Sequence, residues 1–375
     1  IFICENWKRI LKPNLGLSAS MKILVVSIQR IGDVLLTTPL IHSLKNAYPN
    51  ASIDIMVCND TASILDGNED INKVIKIPRN SKKNERIKEI YKLWNKYDIA
   101  ITTNPSDRAR IYAWASSKKH YGTYSEKDSF IFKKMMSKRV LFDNQSIHTV
   151  EMNLKICELL DIPKKEKVIP PKNLKNSKKF EIKPPYVVVH PYPKFVYKSW
   201  VVSEWQTILK ELTQNGIQVV ISGGSDKEEI EYCEKLVISP NIKNWAGKNS
   251  LADMTELIQH AELFIGVDTS VTHLAAATGV KVFAIYGPTN PVKWAPWPYS
   301  PKTQNQPIWL SHSNTPQEHS NITLIQGQQS CVPCAEEGCD RHVNSLSQCL
   351  TSLKSEIVLS EVKHYLKSRG IGDSL

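Results

Sequence analysis

Short apolar runs alternate with longer segments of helical periodicity along this chain, and the whole alternation occurs twice. Apolar runs rich in β-branched residues are typical of buried strands, and strands that alternate with helices build a parallel sheet with helices on both faces. The pattern therefore predicts an α/β fold with two doubly wound, Rossmann-like domains. The predicted strands are KILVVSI, ASIDIMVC, VIKIP and DIAITTNP in the first half, and YVVVHP, GIQVVISGG, ELFIGVD and KVFAIYGP in the second.

A polar segment separates the two halves. Residues 163–185, PKKEKVIPPKNLKNSKKFEIKPP, are rich in proline and lysine, which is a linker composition. Sheets of this kind bind ligands at the carboxyl ends of their strands, so a cleft between two such domains is the expected site. The predicted divisions are an N-terminal tail over 1–20, a first domain over 21–165, a linker over 166–185, a second domain over 186–355, and a C-terminal helix over 356–375.

The composition supports two domains and suggests an anionic partner. The chain has 375 residues, 41% hydrophobic content, a formal net charge of +11 and a pI near 9.1. Such a charge is compatible with nucleic acid, phosphorylated lipid, a membrane surface, or simply an inert basic surface. The sequence has no zinc-finger, RNP or helix-turn-helix signature, so we expect no nucleic-acid partner.

The sequence also indicates whether the protein spans a membrane or contacts one. No apolar run approaches the ~18 residues of a transmembrane helix, and residues 1–20 make a poor signal peptide, so we expect a cytoplasmic protein. Met21 is a candidate natural start, and residues 1–20 would then be an upstream tail. Residues 130–142, FIFKKMMSKRVLF, interleave apolar residues with cations. One prediction is that they lie on an anionic membrane or hold a substrate. The alternative is a loop or short helix with a solvated basic face.

The turn after the first predicted strand, IQRIGDV, carries an acid. The dinucleotide-binding pattern G-x-G-x-x-G is absent because Gly32 is the only glycine there, so a Rossmann dehydrogenase is not expected. Asp33 has two interpretations. It is either an acid in the first turn of a helix, favoured by the helix dipole, or a general base that faces the cleft.

The segment FIGVDTSVTHLAAATGVKVFAIYGPTNPVKWAPW contains a second group of candidates. A buried strand is predicted to end at Asp268, and a helix to begin at Thr269 and Ser270. Backbone N–H groups at such a helix start bind phosphate, and Asp268 would then lie near sugar hydroxyls. The alternative is that Asp268 caps the helix and that His273 only packs on it.

A third candidate follows the strand YVVVHP, in the irregular loop of HPYPKFVYKSW. Lys198 is placed there to neutralise a nucleotide diphosphate as it leaves. The alternative is a solvated loop lysine, which is the usual fate of lysines.

Together these segments resemble one known family. RIGDVLLTTPLIHSLK, HPYPKFVYKSW, GVDTSVTHLAAATGVKVFAIYGPTNPVKW and CVPCAEEGCDRHVNSLSQCL are similar to the glycosyltransferase family nine heptosyltransferases of lipopolysaccharide core assembly, and the last is most similar to the heptosyltransferase III branch. The likeness extends from about residue 21 to the C-terminus. It implies a GT-B fold, an inverting reaction with ADP-heptose as donor and an anionic inner-core lipopolysaccharide as acceptor, and no cofactor or metal required for catalysis.

The resemblance also implies roles for individual residues. Asp33 matches the catalytic base, and Lys198 matches the lysine that binds the diphosphate. Glu228, in GGSDKEE, is similar to an acid near the ribose. Asp268 matches the heptose-binding aspartate, and the donor phosphate loop holds Thr269, Ser270 and His273.

The resemblance further implies an enzyme at the cytoplasmic face of the inner membrane, attached peripherally. Two other functions remain open. One is a family-nine enzyme that acts on a different acceptor, such as a protein or another glycan. The other is a non-catalytic nucleotide- or lipid-binding module, which the joint presence of Asp33, Lys198 and Asp268 disfavours.

Four of the eight cysteines lie within one loop, residues 331–349, in the pattern C-x2-C-x4-C-x9-C. Four thiolates form a complete tetrahedral ligand set, and the opening C-x2-C has the spacing of a metal knuckle, so a structural zinc or iron site is predicted. The alternatives are four reduced thiols, or a disulfide, which a reducing cytoplasm disfavours. The predicted ligands are Cys331, Cys334, Cys339 and Cys349.

Overall fold

The computed structural model describes residues 21–174, 180–301 and 308–371. The predicted N-terminal tail lies outside the described residues, as do part of the predicted linker (175–179) and the last four residues. Within the described ranges the chain builds two sheets, one from the strands before the linker and one from the strands after it. No helix in those ranges is long and apolar enough to cross a bilayer.

The first sheet, as described, is parallel throughout. Its strands are β1 (Lys22–Val26), β2 (Ser52–Cys58), β3 (Lys73–Ile77), β4 (Ile99–Thr102), β5 (His120–Tyr124) and β6 (Lys138–Leu141). Its helices are α1 (Ile31–Leu35), α2 (Thr38–Ala47), α3 (Lys83–Leu93), α4 (Asp107–Ser116), α5 (Phe130–Lys134) and α6 (Thr149–Leu160), with a 3-10 helix at Asn59–Leu65. The strand order β3-β2-β1-β4-β5-β6 is that of a Rossmann sheet.

The second sheet repeats this order and adds one antiparallel edge strand. Its strands are β7 (Tyr186–His190), β8 (Gln218–Ile221), β9 (Ile242–Asn244), β10 (Leu263–Val267), β11 (Lys281–Tyr286), β12 (Gln317–His319) and β13 (Ile322–Gln326). Its helices are α7 (Val202–Gln214), α8 (Lys227–Glu234), α9 (Leu251–Gln259), α10 (Ser270–Thr278), α11 (Pro291–Trp294), α12 (Gln348–Thr351) and α13 (Ser355–Ser368), with a 3-10 helix at Val196–Lys198. The order is β12-β13-β11-β10-β7-β8-β9.

The strand order decides which face of the first sheet each helix covers. Crossovers between parallel strands are right-handed, so helices on connections that move the same way across the sheet share a face. The connections β3 to β4, β4 to β5 and β5 to β6 all move toward β6, which places α3, α4 and α5 together. The connection from β1 to β2 moves the other way, so α1 and α2 cover the opposite face, where α6 packs on α2.

Two short helices, α1 and α2, follow β1, and Pro39 lies where the second one begins. The first helix ends at Leu35 and the second restarts at Thr38, with Pro39 inside its first turn, where a missing N–H costs nothing. The N-cap of α2 is Thr37, and the Thr38 hydroxyl donates to the Leu35 carbonyl at 2.7 Å.

Residues 130–142 are not a single loop or short helix. They form α5 and then β6, the edge strand of the first sheet. The sequence shows no alternation there because β6 is mostly exposed, so its side chains are not selected for burial.

The two halves share a buried boundary. One apolar cluster contains Val34 and Leu154 of the first half together with Val271 and Trp297 of the second. Hydrogen bonds cross at the same place: the His148 ring binds the Ala295 carbonyl at 2.8 Å, and the Thr149 hydroxyl donates to the Lys293 carbonyl at 3.1 Å. The carboxyl ends of β1, β7 and β10 therefore open toward one cleft.

Candidate active site between the two sheets

The predicted site residues follow the strands at which each sheet reverses its winding. That reversal falls between β1 and β4 in the first sheet and between β7 and β10 in the second, and it is where doubly wound sheets bind ligands. Asp33 follows β1, Lys198 follows β7, and Asp268 follows β10. The starts of α1 and α10 touch across the cleft: a methyl group added to Gly32 would lie 3.9 Å from both Ser270 and His273.

Asp33 sits in the first turn of α1, as predicted. Its Oδ2 accepts a hydrogen bond from the Arg30 backbone N–H at 3.2 Å. The residue is only half-buried by its accessible surface, but the protein surrounds the carboxyl group closely enough that desolvation raises its pKa to about 6. The Arg30 N–H bond and the charges of Arg30, Lys293 and Lys198 limit that rise. A carboxyl group with this pKa suits a general base near neutral pH.

Lys198 and Asp268 form an ion pair at the head of the second sheet. The Lys198 Nζ lies 2.6 Å from Asp268 Oδ2, and the Thr289 hydroxyl donates to the same oxygen at 2.6 Å. Burial raises the pKa of Asp268, but Lys198, Thr289 and His273 together outweigh it and hold the pKa below its ordinary value. The carboxylate thus stays charged and fixes the lysine amine beside the start of α10.

The start of α10 is capped by Thr269, not by Asp268. The Thr269 hydroxyl accepts from the Thr272 N–H at 3.4 Å, so the alternative in which Asp268 is the N-cap is wrong. Ser270 is half-buried in the first turn, and His273 is buried below it. Burial lowers the pKa of His273 to about 4, so the ring is neutral near pH 7. Its Nδ1 has no hydrogen-bond partner among the described residues.

The first turn of α8 holds a second acid, Glu229, which was not among the predicted site residues. Glu228 is exposed at the start of α8, whereas its neighbour Glu229 is half-buried against the Gly223–Gly224 backbone. Burial raises the pKa of Glu229, and its hydrogen bond with the Gly224 backbone opposes this. The sequence GGSDKEE places both acids one residue apart, so only packing separates them.

Lys293 is a further cleft residue, and it was not among the predicted site residues. It belongs to α11, is 1% exposed, and donates from Nζ to the Asp143 carbonyl of the first half at 2.7 Å. The Phe142 ring lies 4.6 Å from the amine. Burial lowers the pKa of Lys293 to about 8, although the negative charges of Asp143 and Asp33 oppose this shift. A cation therefore crosses from the second half to the side of the cleft that holds Asp33.

The four cysteines of residues 331–349 come near one another without forming a metal site. All four are free thiols, with Cys349 buried and the other three exposed. Burial raises the pKa of the Cys349 thiol to about 12, and the charges of Cys334, Cys331 and Cys339 add to that rise. Nowhere in the described ranges are three or more His, Cys, Asp or Glu side chains arranged to hold a metal ion. The structure therefore lacks the predicted zinc or iron geometry, and it contains no disulfide among these four.

Comparison with known proteins places this site in a family. The sequence model of glycosyltransferase family 9 (heptosyltransferase) matches residues 87–326. A lipopolysaccharide heptosyltransferase 3 of Escherichia coli strain K12 is 30% identical over 287 residues, which cover 71% of this chain and 82% of that protein.

Solved structures agree with the sequence match. The Escherichia coli ADP-heptose lipopolysaccharide heptosyltransferase II superposes with a TM-score of 0.70 at 20% identity, over 93% of this chain and all of that one. The Escherichia coli heptosyltransferase WaaC with ADP-2-deoxy-2-fluoro heptose gives 0.67 at 18% identity, over 92% of this chain and 99% of that one. The fold is the predicted GT-B arrangement, and the chain belongs to glycosyltransferase family 9, the heptosyltransferases.

Proposed function

We propose that this protein is an inverting heptosyltransferase that moves heptose from ADP-heptose to an inner-core lipopolysaccharide acceptor. The observation that carries the proposal is the meeting, in one cleft, of a carboxyl group with a raised pKa and an ion pair between half-buried Lys198 and buried Asp268 at a helix start. The two groups suit the two halves of a group transfer, one activating the acceptor and one receiving the leaving group. The names of the similar heptosyltransferases support the choice of donor and acceptor class.

The first domain is proposed to bind the acceptor, and Asp33 to act as base. The acceptor hydroxyl loses its proton to the Asp33 carboxylate while its oxygen attacks the anomeric carbon of the heptose. Positioned general bases contribute roughly 10²–10⁴-fold to a rate. Alignment of the two substrates and stabilisation of the leaving group must supply the rest.

The second domain is proposed to bind the donor. The bond from the anomeric carbon to the diphosphate oxygen breaks on the side opposite the attack, and ADP leaves with the bonding electrons. Lys198 and the first N–H groups of α10, over Thr269 and Ser270, receive the new phosphate charge. Asp268, which pairs with Lys198 at 2.6 Å here, is proposed to turn part of its hydrogen-bonding capacity to the heptose hydroxyls. His273 is neutral, so it supplies a polar wall without adding charge.

One acid of α8 is proposed to bind the ribose of the donor. The resemblance assigns the ribose contact to Glu228. Glu229, which packs against Gly224, is the other candidate for this contact. Glu228→Ala should weaken ADP binding and leave stability unchanged, while Glu229→Ala should lower the melting temperature. The reverse pattern would move the ribose contact to Glu229.

Lys293 is proposed to position the base and to hold the two domains in register. Its amine is fixed on the Asp143 carbonyl at 2.7 Å, and its own carbonyl accepts from Thr149 at 3.1 Å. Its positive charge limits how far burial raises the pKa of Asp33. The same residue thus couples closure of the cleft to the protonation state of the base.

The cysteine-rich loop, residues 331–349, is proposed to brace the donor site from below. The Ser347 hydroxyl donates to the Tyr197 carbonyl at 2.6 Å, next to Lys198. The Ala335 N–H donates to the Pro288 carbonyl at 2.8 Å, next to Thr289. The loops that carry Lys198 and Thr289, the two residues that contact Asp268, therefore rest on this segment.

Transfer itself is proposed to need no metal, because Lys198 and α10 supply the positive charge at the leaving group. A structural zinc or iron held by the four thiols remains a prediction from their spacing. Metal analysis of protein purified without chelator tests it: near-stoichiometric metal that falls in Cys334→Ser would support the site. Metal-free protein with full stability would leave the loop as four thiols.

The enzyme is proposed to work at the cytoplasmic face of the inner membrane, where a lipid-anchored acceptor would present its sugars to the cleft. The decisive experiment for the function is incubation of the protein with ADP-heptose and truncated core oligosaccharides, followed by product mass and linkage analysis. We expect one heptose to be added and one ADP released per acceptor. Transfer to a protein or another glycan would change the acceptor class, and ADP binding without transfer to any acceptor would leave a binding module.

A further inference from the structure

The positive charge of this chain is concentrated in one segment. Residues 79–139 contain sixteen Lys and Arg against six Asp and Glu, a net charge of +10. The other residues contain thirty-two against thirty-one, a net charge of +1. An inert basic surface would distribute the excess along the chain, so this concentration calls for a local cause.

That segment builds α3, α4 and α5, which lie on one face of the first sheet because their crossovers move the same way. The three helices are linked. The Trp94 and Trp114 rings meet edge to face at 5.8 Å and join α3 to α4. Arg110 of α4 pairs with Asp128 just before α5, and its guanidinium lies 5.7 Å from the Phe132 ring. We call the outward surface of α3, α4 and α5 the outer basic face.

The outer basic face also exposes large apolar side chains, which is unusual for so charged a surface. On α3 and at its end, Ile87, Tyr91 and Trp94 are 63%, 82% and 52% exposed and follow helical spacing, so they form one outward stripe. On α4, Ile111 and Trp114 are 36% and 47% exposed, three residues apart on one side of the helix.

The third helix, α5, also exposes large apolar side chains beside lysines. Phe130 and Ile131 of α5 are 70% and 72% exposed, and the Lys134 amine lies 4.6 Å from the Phe130 ring. Half of the fourteen large apolar side chains exposed in the described part of the chain thus lie within residues 79–139. A helix with exposed aromatic and aliphatic groups flanked by lysines is the pattern of an interfacial helix, whose apolar side enters the headgroup region while its cations meet anionic lipids.

We propose that the outer basic face docks the protein on an anionic lipid bilayer, with the stripe on α3 and the exposed residues of α4 and α5 entering the headgroup layer. A second copy of this chain is a poor occupant, because it would bring two surfaces of net charge +10 together. Nucleic acid would match the charge, but it gives no reason to expose Ile87, Ile111 and Ile131.

The outer basic face adjoins the mouth of the cleft. The Arg79 guanidinium, before α3, donates to the Gln29 carbonyl at 3.2 Å, four residues before Asp33. Arg108, in the first turn of α4, donates to the Arg79 carbonyl at 2.6 Å. Docking by this face would therefore bring the acceptor side of the cleft to the membrane surface. This consequence rests on the proposed function, whereas lipid binding itself is measured without donor or acceptor.

The test is sedimentation of the full chain with vesicles of phosphatidylglycerol mixed equally with phosphatidylethanolamine, and with vesicles of phosphatidylcholine alone. We expect binding to the anionic vesicles that weakens with salt, and little binding to the neutral ones. Lys83→Gln/Lys88→Gln/Lys92→Gln should weaken binding on the order of tenfold or more, since each cation near an anionic surface contributes to attachment. The charge-matched control is Lys210→Gln/Lys227→Gln/Lys235→Gln in the second half, which should bind as the wild type does.

A second variant separates insertion from charge alone. Ile87→Ser/Tyr91→Ser/Ile131→Ser keeps every charge and alters only exposed side chains, and it should weaken binding several-fold. Its control, Val237→Ser/Ile238→Ser/Leu310→Ser, alters exposed apolar groups elsewhere and should bind normally. Brominated lipid should quench part of the tryptophan fluorescence, and that part should be lost in Trp94→Phe/Trp114→Phe.

Three results would overturn the proposal. The first is wild-type protein that does not bind anionic vesicles, and the second is loss of binding in the controls as much as in the variants. The third is a dimer, or a complex with double-stranded DNA, that the same variants abolish while vesicle binding is unaffected. Retained lipid binding with no heptose transfer would contradict the proposed function and leave this inference standing.

Discussion

The two Rossmann-like domains share a strand order and differ in net charge, which an anionic partner senses directly. The first domain, residues 21–165, contains twenty-four Lys and Arg against sixteen Asp and Glu, a net charge of +8. Residues 186–375 contain fifteen against eighteen, a net charge of −3. Yet the second domain is the one proposed to bind a diphosphate. Under the proposed function, donor binding therefore depends on a few placed groups, whereas the excess positive charge of the chain lies in the other domain.

The cleft shows the same contrast at close range. On the first side, Asp33 is an acid whose pKa burial raises to about 6. On the second side, Asp268 is more deeply buried, yet Lys198 and Thr289 hold its pKa below the ordinary value. Two carboxyl groups near one cleft thus differ because one has a cation and a hydroxyl within 2.6 Å and the other has a single backbone N–H. That difference supports the proposal in which Asp33 takes the proton and Asp268 places charge beside the donor.

The largest expected effect comes from removing the base. Asp33→Asn should lower kcat by about 10²–10⁴-fold while ADP binding and the melting temperature are unchanged, because an amide cannot take the acceptor proton. Turnover reports on the base in the first domain, and ADP affinity, measured by calorimetry, reports on the donor site in the second. Glu158→Gln, an exposed acid of the same domain, is the control. Near-wild-type turnover in Asp33→Asn would reduce Asp33 to a helix-start acid.

The next effect concerns the second domain. Lys198→Ala should weaken donor binding and slow ADP departure by about tenfold to a hundredfold, since charge-assisted hydrogen bonds contribute ~1.5–3 kcal/mol. Lys194→Ala, an exposed lysine of the same loop, is the matched control and should behave as wild type. An unchanged donor affinity in Lys198→Ala, measured by ADP titration, would take this residue out of the site.

A smaller effect links the two domains through pH. Asp33 must be ionised to act, so kcat should fall as the pH drops through about 6. Lys293 lowers the pKa of Asp33, so Lys293→Met should move this acid limb to higher pH. The pH profile of kcat in the two proteins measures the shift. An acid limb that stays at the same pH while overall activity drops would mean that Lys293 only holds the two domains together.

The smallest effect concerns the loop beneath the donor site. Ser347→Ala removes one buried hydrogen bond to the Tyr197 carbonyl, worth about 1 kcal/mol, so KM for the donor should rise a few-fold with kcat nearly constant. Ser352→Ala, in the turn that follows α12, is the control. A lower melting temperature with no change in KM would mean that the cysteine-rich loop stabilises the domain without placing Lys198.

The central strands and the site residues were accessible from the sequence because their signals are local. Strands β1, β2, β7 and β10 are buried on both faces, so they appear as continuous apolar runs. Strands β6 and β9 lie at sheet edges with part of their surface exposed, so nothing in their composition separates them from loops. Asp33, Lys198 and Asp268 each follow a predicted strand, and a polar residue at that place is visible without coordinates.

By itself, the sequence determined two parallel sheets, their approximate limits, and the three loops from which a cleft residue comes. The tertiary structure alone decided that Glu229 and not Glu228 folds onto the glycine loop, and that Lys293 crosses to the first domain. It also set the positions of the four cysteines with metal-like spacing, which are not arranged as a metal-ligand set in the described part of the chain. The physical reason is range: a strand or a helix cap depends on neighbours in sequence, whereas burial, pKa and ligand geometry depend on groups that the chain brings together from distant positions.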